Sequence, residues 1–141
     1  MSVALVSSQG DAHVRHLVDL FGNEWWSRGR SVAEVQTVLG ASDVVLAAID
    51  SDRDELVGFA RALTDGVFVA VVLDVIVAGN RRGEQIGRML MQEMLRRLDG
   101  VNSIELVCQP DLEAFYAQWG FTTRVGRSRL MRRTNDSTLA D

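Results

Sequence analysis

The stretch from Val67 to Leu98 constrains this chain more than any other. It opens with an apolar run, Val67 to Ala78, interrupted only by Asp74. It then passes through Gly79-Asn80-Arg81-Arg82-Gly83-Glu84-Gln85 and continues with Ile86, Met89, Leu90, Met94, Leu95 and Leu98 at helical spacing. A buried strand pattern that gives way to a period of 3.6 across a glycine-containing turn predicts strand, tight turn and amphipathic helix. The run falls short of the roughly 20 residues a spanning helix needs, so it is expected in a core and no membrane association is expected. Ser103 to Cys108 reads as a further strand. Two strands joined by one helical crossover should be parallel neighbours with a right-handed connection.

The flanking segments complete the pattern. Val14, Leu17, Val18 and Phe21 predict a helix over 11–21, and Ser31 with Glu34 forms a capping box that starts a second, ended by Gly40. Val44 to Ile49 and Leu56 to Leu63 read as strands about the polar turn 50–54, and Asp65-Gly66 marks a hairpin into the apolar run. After the fifth strand, Pro110 suits a first helical position, and Leu112, Phe115 and Trp119 share a face up to Gly120. Phe121 to Arg133 is expected to close the fold as one or two strands. The class is mixed α/β, in the order strand, two helices, three antiparallel strands, helix, strand, helix and final strand or hairpin. One domain over 1–133 and a short, polar, frayed tail over 134–141 are expected.

Composition narrows the chemistry. The chain has 141 residues, and its 15 basic against 19 acidic side chains leave a net charge of −4. Every basic residue is arginine, so there is no lysine for a Schiff base or a Walker-type phosphate loop. The acidic balance argues against nucleic acid as partner, and the arginines between Arg124 and Arg133 read as a charged edge strand that discourages aggregation. The single cysteine, Cys108, cannot form an internal disulfide, and the N-terminus lacks a signal-peptide pattern, so a cytoplasmic setting is expected. No Cys/His cluster has zinc spacing, and no metal is expected.

The turn before Ile86 can bind an anion, because unpaired amides at a helix start and the helix dipole both favour a phosphate. A Walker loop and a dinucleotide-binding glycine fingerprint are both absent. Arg82-Gly83-Glu84-Gln85-Ile86-Gly87 instead resembles motif A of the GNAT superfamily of acetyl-coenzyme A-dependent N-acyltransferases, with Gln85 where that family usually has its first motif glycine. If Gln85 is helical, its amide still serves; if its φ is positive, strain follows. Ala114-Phe115-Tyr116-Ala117-Gln118-Trp119-Gly120-Phe121 is similar to the closing helix of the same family. The resemblance spans about Leu56 to Phe121.

The resemblance implies an N-acetyltransferase that moves acetyl from acetyl-coenzyme A to a small-molecule or peptide primary amine by direct attack, on a mixed sheet whose fourth and fifth strands splay. It implies that the backbone of Val75, Ile76 and Val77 meets the pantetheine arm, and that Arg82, Gly83, Gln85, Ile86, Gly87 and Arg88 hold the pyrophosphate, with Gln109 touching the cofactor. It assigns Tyr116 as the group that protonates or hydrogen-bonds the departing thiolate. A phenol near pKa 10 against a thiol near 8.5 makes a strengthening hydrogen bond the better description. Dimerisation is common among related proteins, but one sequence shows no contact surface.

Other residues carry open alternatives. Asp74, a lone carboxylate in an apolar strand, is either the base that takes the amine proton or a bulge residue bonded to local amides. Glu105 is a second candidate base or an exposed alternating side chain. Trp25 and Trp26 wall an acceptor site or simply pack, with one ring expected to be exposed. Arg28 or Arg30 meets an anionic acceptor group or is solvated. His13 and His16 lack a third metal ligand and read as surface residues, and Cys108 reads as a buried small hydrophobe. The competing functional reading is a non-catalytic acyl-coenzyme A-binding or protein-interaction module on the same fold.

Overall fold

The computed structural model describes residues 2–7 and 11–139. Five strands form one sheet in chain order: β1 (Val3–Val6), β2 (Val44–Asp50), β3 (Glu55–Thr64), β4 (Val69–Val77) and β5 (Ser103–Glu105). Neighbours are antiparallel from β1 to β4, while β4 and β5 run parallel, as the helical crossover between them requires. The helices are α1 (Asp11–Gly22), α2 (Val32–Ala41), α3 (Ile86–Arg97) and the short α4 (Glu113–Ala117).

Strand alternation divides the core between two faces. Leu46 and Ala48 of β2 turn to one side, where they meet Ile86, Leu90, Met91 and Met94 of α3 together with Tyr116. Ala47 and Ile49 turn to the other and pack with Leu17 and Phe21 of α1 and Val35 of α2. The capping box at α2 forms as its sequence requires: Ser31 accepts from the Glu34 amide, and the Glu34 carboxylate accepts from the Ser31 amide.

Two expectations at the C-terminal side are corrected. The strand expected over Ser103 to Cys108 ends at Glu105, because pairing with β4 stops at Val71↔Glu105 and the chain beyond has no ladder partner. The closing strand or hairpin over Phe121 to Arg133 is absent among the described residues; 122–133 are exposed and join no strand of the sheet. Of the tail expected to fray, Ser137–Leu139 forms a 3-10 turn, and 140–141 lie outside the described residues. His13 and His16 are half-buried rather than surface groups. His13 Nε2 contacts Asp54 Oδ1 at 2.8 Å, and His16 Nδ1 accepts the Leu56 amide.

The approach of α3 to the sheet depends on Gly58. A Cβ built there would lie 2.8 Å from Ile86 Cγ2 and 3.3 Å from Ala48 Cβ. Gly58→Val should therefore lower unfolding stability by about 1–3 kcal/mol through overpacking, read as a fall in the urea midpoint at unchanged slope.

Candidate active site

The site begins where β4 leaves its neighbours. Phe59 pairs with Ile76 and Arg61 with Leu73, so Asp74 and Val75 together oppose Ala60 and form a bulge on β4. Asp74 takes a left-handed conformation there, with φ of 56°. Val72 and Val75 both face α3 while Ile76 faces the opposite layer, which shows the alternation stepping by one residue across the bulge. On the other edge, β4 pairs with β5 only from Val69 to Val71. The strands then part, leaving an edge of β4 without a strand partner. Ala78 donates its N–H to the Val57 carbonyl at 2.8 Å, so antiparallel alternation turns the polar groups of Val77 toward this opening.

Asp74 does not bond backbone amides at its bulge. Its carboxylate accepts from Arg30 (2.8 and 3.1 Å) and from Arg61 Nε at 2.7 Å. Burial pushes this carboxyl up, but the hydrogen bonds and charges of the two guanidinium groups outweigh it and hold the carboxyl below its ordinary range. A carboxylate so stabilised is a weak proton acceptor, which separates Asp74 from the role of general base. Arg30 is also stacked, its guanidinium carbon 4.5 Å from the Phe21 ring centroid and 5.9 Å from that of Trp26. The alternative of a solvated arginine therefore fails at Arg30, which ties the α1–α2 connection to β4. Of the two tryptophans, Trp26 packs against Phe21 and Trp25 is 47% exposed, the division expected.

Downstream of β4 the chain forms a single 3-10 turn, Gly79–Arg81, and enters α3 through two left-handed residues, Gly83 at φ 86° and Gln85 at φ 68°. Gln85 is thus the strained case of the two considered. The Met89 amide donates to the Gln85 carbonyl, so the amides of Ile86, Gly87 and Arg88 precede the first intrahelical bond, and no Gln85 side-chain hydrogen bond caps them. This helix start can receive an anion through backbone groups. Arg88 is exposed beside it, whereas Arg82 is directed to Glu24 at 2.8 Å. Arg81, which sequence reasoning did not single out, is buried and pairs with Asp50 at 2.9 Å and Glu84 at 2.9 Å, anchoring the turn to the end of β2.

Gly87 has a packing reason beyond any ligand: a Cβ there would lie 3.2 Å from Phe115 Cζ. Phe115 stacks edge-on with Tyr116 and Trp119, each at 5.0 Å between ring centroids, which joins α4 to the start of α3. Tyr116 is buried with α3, and burial pushes its phenol up to about 12, with Cys108 acting in the same direction. Burial also raises the Cys108 thiol, as do the charges of Glu113 and Asp111, so this sulfur is not a ready nucleophile. Ile104, Leu106 and Cys108 pack toward α3, which by alternation turns exposed Glu105 to the face of α1 and α2. Gln109 sits half-buried just before the 3-10 turn Pro110–Leu112.

Comparison with known proteins agrees with this geometry. The family model described as Acetyltransferase (GNAT) domain matches residues 41–123. An uncharacterized N-acetyltransferase of Pyropia yezoensis is 28% identical over 120 residues, covering 82% of this chain and 68% of that protein. A crystal structure of a putative GNAT-family acetyltransferase from Xanthomonas campestris pv. campestris superposes with a TM-score of 0.81 at 25% identity, covering 95% of this chain and 94% of its own. The structure of an aminoglycoside 6'-N-acetyltransferase complexed with coenzyme A gives 0.62 at 25% identity, over 85% and 75% of the two chains.

Two outcomes follow from the strained and paired residues. Gln85→Gly should raise stability by about 0.5–1 kcal/mol, since relief of the left-handed side-chain penalty exceeds the added chain entropy of glycine; a higher denaturant midpoint reads this. Asp74→Asn should cost about 3 kcal/mol at neutral pH by leaving two guanidinium groups without their counter-ion. Because the Asp74 carboxyl is lowered in the folded state, its contribution is complete above the ordinary aspartate value and disappears as pH falls through the folded one. The stability difference between wild type and variant should therefore shrink below about pH 4.

Proposed function

Because this chain belongs to the GNAT acetyltransferase family, we propose that it transfers an acetyl group from acetyl-coenzyme A to a primary amine by direct attack within a ternary complex. The observation that carries the reading is the adjacency of two backbone features: the free edge of β4 beyond Val71, and the uncapped start of α3 that follows it in the chain. An extended amide-bearing arm suits the first, and a diphosphate suits the second. In this reading Gly83, Gln85, Ile86, Gly87 and Arg88 receive the diphosphate. Val75, Ile76 and Val77 line the arm, and Gln109 approaches it from the β5 side. Arg82, held by Glu24, contributes through its backbone. Acetyl-coenzyme A supplies the thioester.

A free amine attacks the thioester carbonyl carbon, a carbon–nitrogen bond forms as the carbon–sulfur bond breaks, and an amide N–H near Val77 stabilises the oxygen that gains charge. Tyr116 is assigned to the departing sulfur. With its phenol at about 12 it stays protonated and donates a hydrogen bond that strengthens as negative charge develops, without full transfer of its proton. Since two arginines hold Asp74, Glu105 is the carboxylate we assign to receive the amine proton, directly or through water; Asp74 fixes the bulge instead. The half-exposed Trp25 borders the acceptor side. Among the described residues no helix is long and apolar enough to cross a membrane, and we assign the enzyme to the cytoplasm on the strength of its single unpaired cysteine.

Coenzyme A release measured across polyamines, aminoglycosides, arylalkylamines, amino acids and peptides tests the reading. Turnover with at least one amine is expected; saturable coenzyme A binding with no thiol release across the panel would instead mark a non-catalytic binding module. With a good acceptor, Tyr116→Phe should reduce kcat by about 10–100-fold and leave coenzyme A affinity within about twofold. The wild-type rate should climb with pH as the amine deprotonates, and ionisation of Tyr116 should impose no alkaline fall below about pH 11.

A further inference from the structure

Several arginines in the body of the protein are engaged by carboxylates: Arg30 and Arg61 by Asp74, Arg81 by Asp50 and Glu84, and Arg82 by Glu24. Those that follow α4 are not. Residues 122–133 hold five arginines and no acidic side chain, in a chain whose net charge is −4. Of the five, Arg124, Arg127, Arg129 and Arg133 form no side-chain hydrogen bond or ion pair among the described residues, and Arg132 reaches only the Leu139 carbonyl. Like charges gathered without counter-ions repel one another, so a segment of this kind favours an anionic surface.

The same segment is also apolar. All residues from 122 to 133 are exposed and none joins a strand; Val125 is 56% exposed, Leu130 70% and Met131 92%. Ser128 donates its N–H to the Val125 carbonyl at 3.3 Å across left-handed Gly126, so the strip doubles back and gathers its charges more closely than an extended run would. Exposed aliphatic groups interleaved with guanidinium groups match the boundary of a bilayer, where phosphates lie beside hydrocarbon. Nucleic acid is the poorer match. The strip has no aromatic ring to stack on a base and no amide side chain to read one, and aliphatic groups as exposed as Leu130 and Met131 gain nothing from phosphates. The acidic remainder of the chain would repel a polyanion that wraps around it. A flat charged surface is met by the strip alone, because the field of the rest decays over a Debye length of about 8 Å.

We propose that residues 122–133 dock this protein on an anionic lipid surface, with Val125, Leu130 and Met131 entering the edge of the hydrocarbon and the arginines between them on lipid headgroups. The contact is peripheral: among the described residues no helix is long and apolar enough to cross a membrane, and the apolar run that forms β4 stays in the core. The expectation of no membrane association concerns that run and not a strip outside the core. Phe121, whose ring centroid lies 6.2 Å from that of Tyr116, precedes the strip and fixes where it leaves the body. The bilayer therefore lies on the α4 side of the molecule. Each arginine that reaches an anionic leaflet should add about fivefold to partitioning.

Flotation of the full chain with unilamellar vesicles tests the proposal, comparing phosphatidylcholine alone with phosphatidylcholine containing about 30 mol% phosphatidylserine. Binding to the anionic vesicles is expected to exceed binding to neutral ones by at least about 100-fold, and to fall as salt rises from about 0.1 M to about 0.5 M. Arg127→Glu combined with Arg129→Glu should weaken binding to anionic vesicles by at least about 25-fold, at about fivefold for each positive charge removed. Leu130→Ser combined with Met131→Ser, which keeps every charge, should weaken it by about tenfold. All four side chains are exposed, so both variants keep the fold, as circular dichroism would show. No binding to either kind of vesicle, equal binding to both, or an Arg127→Glu, Arg129→Glu variant that binds as wild type does would overturn the proposal. A serine variant that binds as tightly as wild type would overturn it too, because charge alone would then hold the protein. So would displacement of the vesicles by a single-stranded oligonucleotide at equal phosphate concentration, which would move the assignment to nucleic acid.

Discussion

Two guanidinium groups on one carboxylate hold the middle of β4 in a shape that no strand of this composition would keep unaided. Asp74 has a left-handed backbone within an otherwise apolar strand, and its side chain is 6% exposed. Left unpaired it would be among the least favourable groups in the molecule. Bound to Arg61 on the neighbouring strand and to Arg30 on the α1–α2 connection, it becomes the point where three separate segments meet. The bulge it occupies shifts the alternation of Val75, Ile76 and Val77, and so determines which polar groups of β4 face the opening toward β5.

That opening is a consequence of how far parallel pairing persists. After Val71↔Glu105 the two strands go different ways, β4 into the turn before α3 and the segment after β5 into the turn before α4. Phe115 and Tyr116 close the far side, and the absence of a side chain at Gly87 lets Phe115 come near the helix start. A ligand that is extended at one end and anionic at the other matches this geometry, and the chemistry assigned to Tyr116 depends on the aromatic packing that excludes water from its phenol. Catalytic character here comes from backbone placement and burial more than from any cluster of reactive side chains.

Much of this was legible in the residues. Hydrophobic period located both helical layers, the Asp65-Gly66 hairpin set the antiparallel order, and the crossover through α3 required β4 and β5 to be parallel. The splay and the role of Asp74 were harder to read, because they depend on cross-strand partners and not on local pattern. A signal did exist: Arg61 is the only charged residue in the apolar part of β3 and Asp74 the only one in the apolar part of β4, and antiparallel pairing of Arg61 with Leu73 brings the two within one residue of each other. The pairing of Arg81 with Asp50 had no comparable signature, since 31 positions separate the partners and each has nearer charged neighbours. The segment after Phe121 misled for the opposite reason. Its β-prone and charged residues read as an edge strand, yet a strand exists only where another accepts its hydrogen bonds, and among the described residues 122–133 pair with none.

Arg81 has a further consequence for how the turn before α3 presents its positive potential. Its charge is already neutralised by Asp50 and Glu84, and Arg82 is directed to Glu24, so these two guanidinium groups brace the loop, while exposed Arg88 stands beside the helix start. Beyond Arg88, the attraction for an anion comes from peptide dipoles fixed in the main chain, which neither titrate nor swing away. Mobile ions screen such short-range contacts far less than they screen solvated side-chain charges. A protein built this way should lose less of its hold on a phosphate-bearing ligand in concentrated salt than a pocket lined by several flexible arginines would.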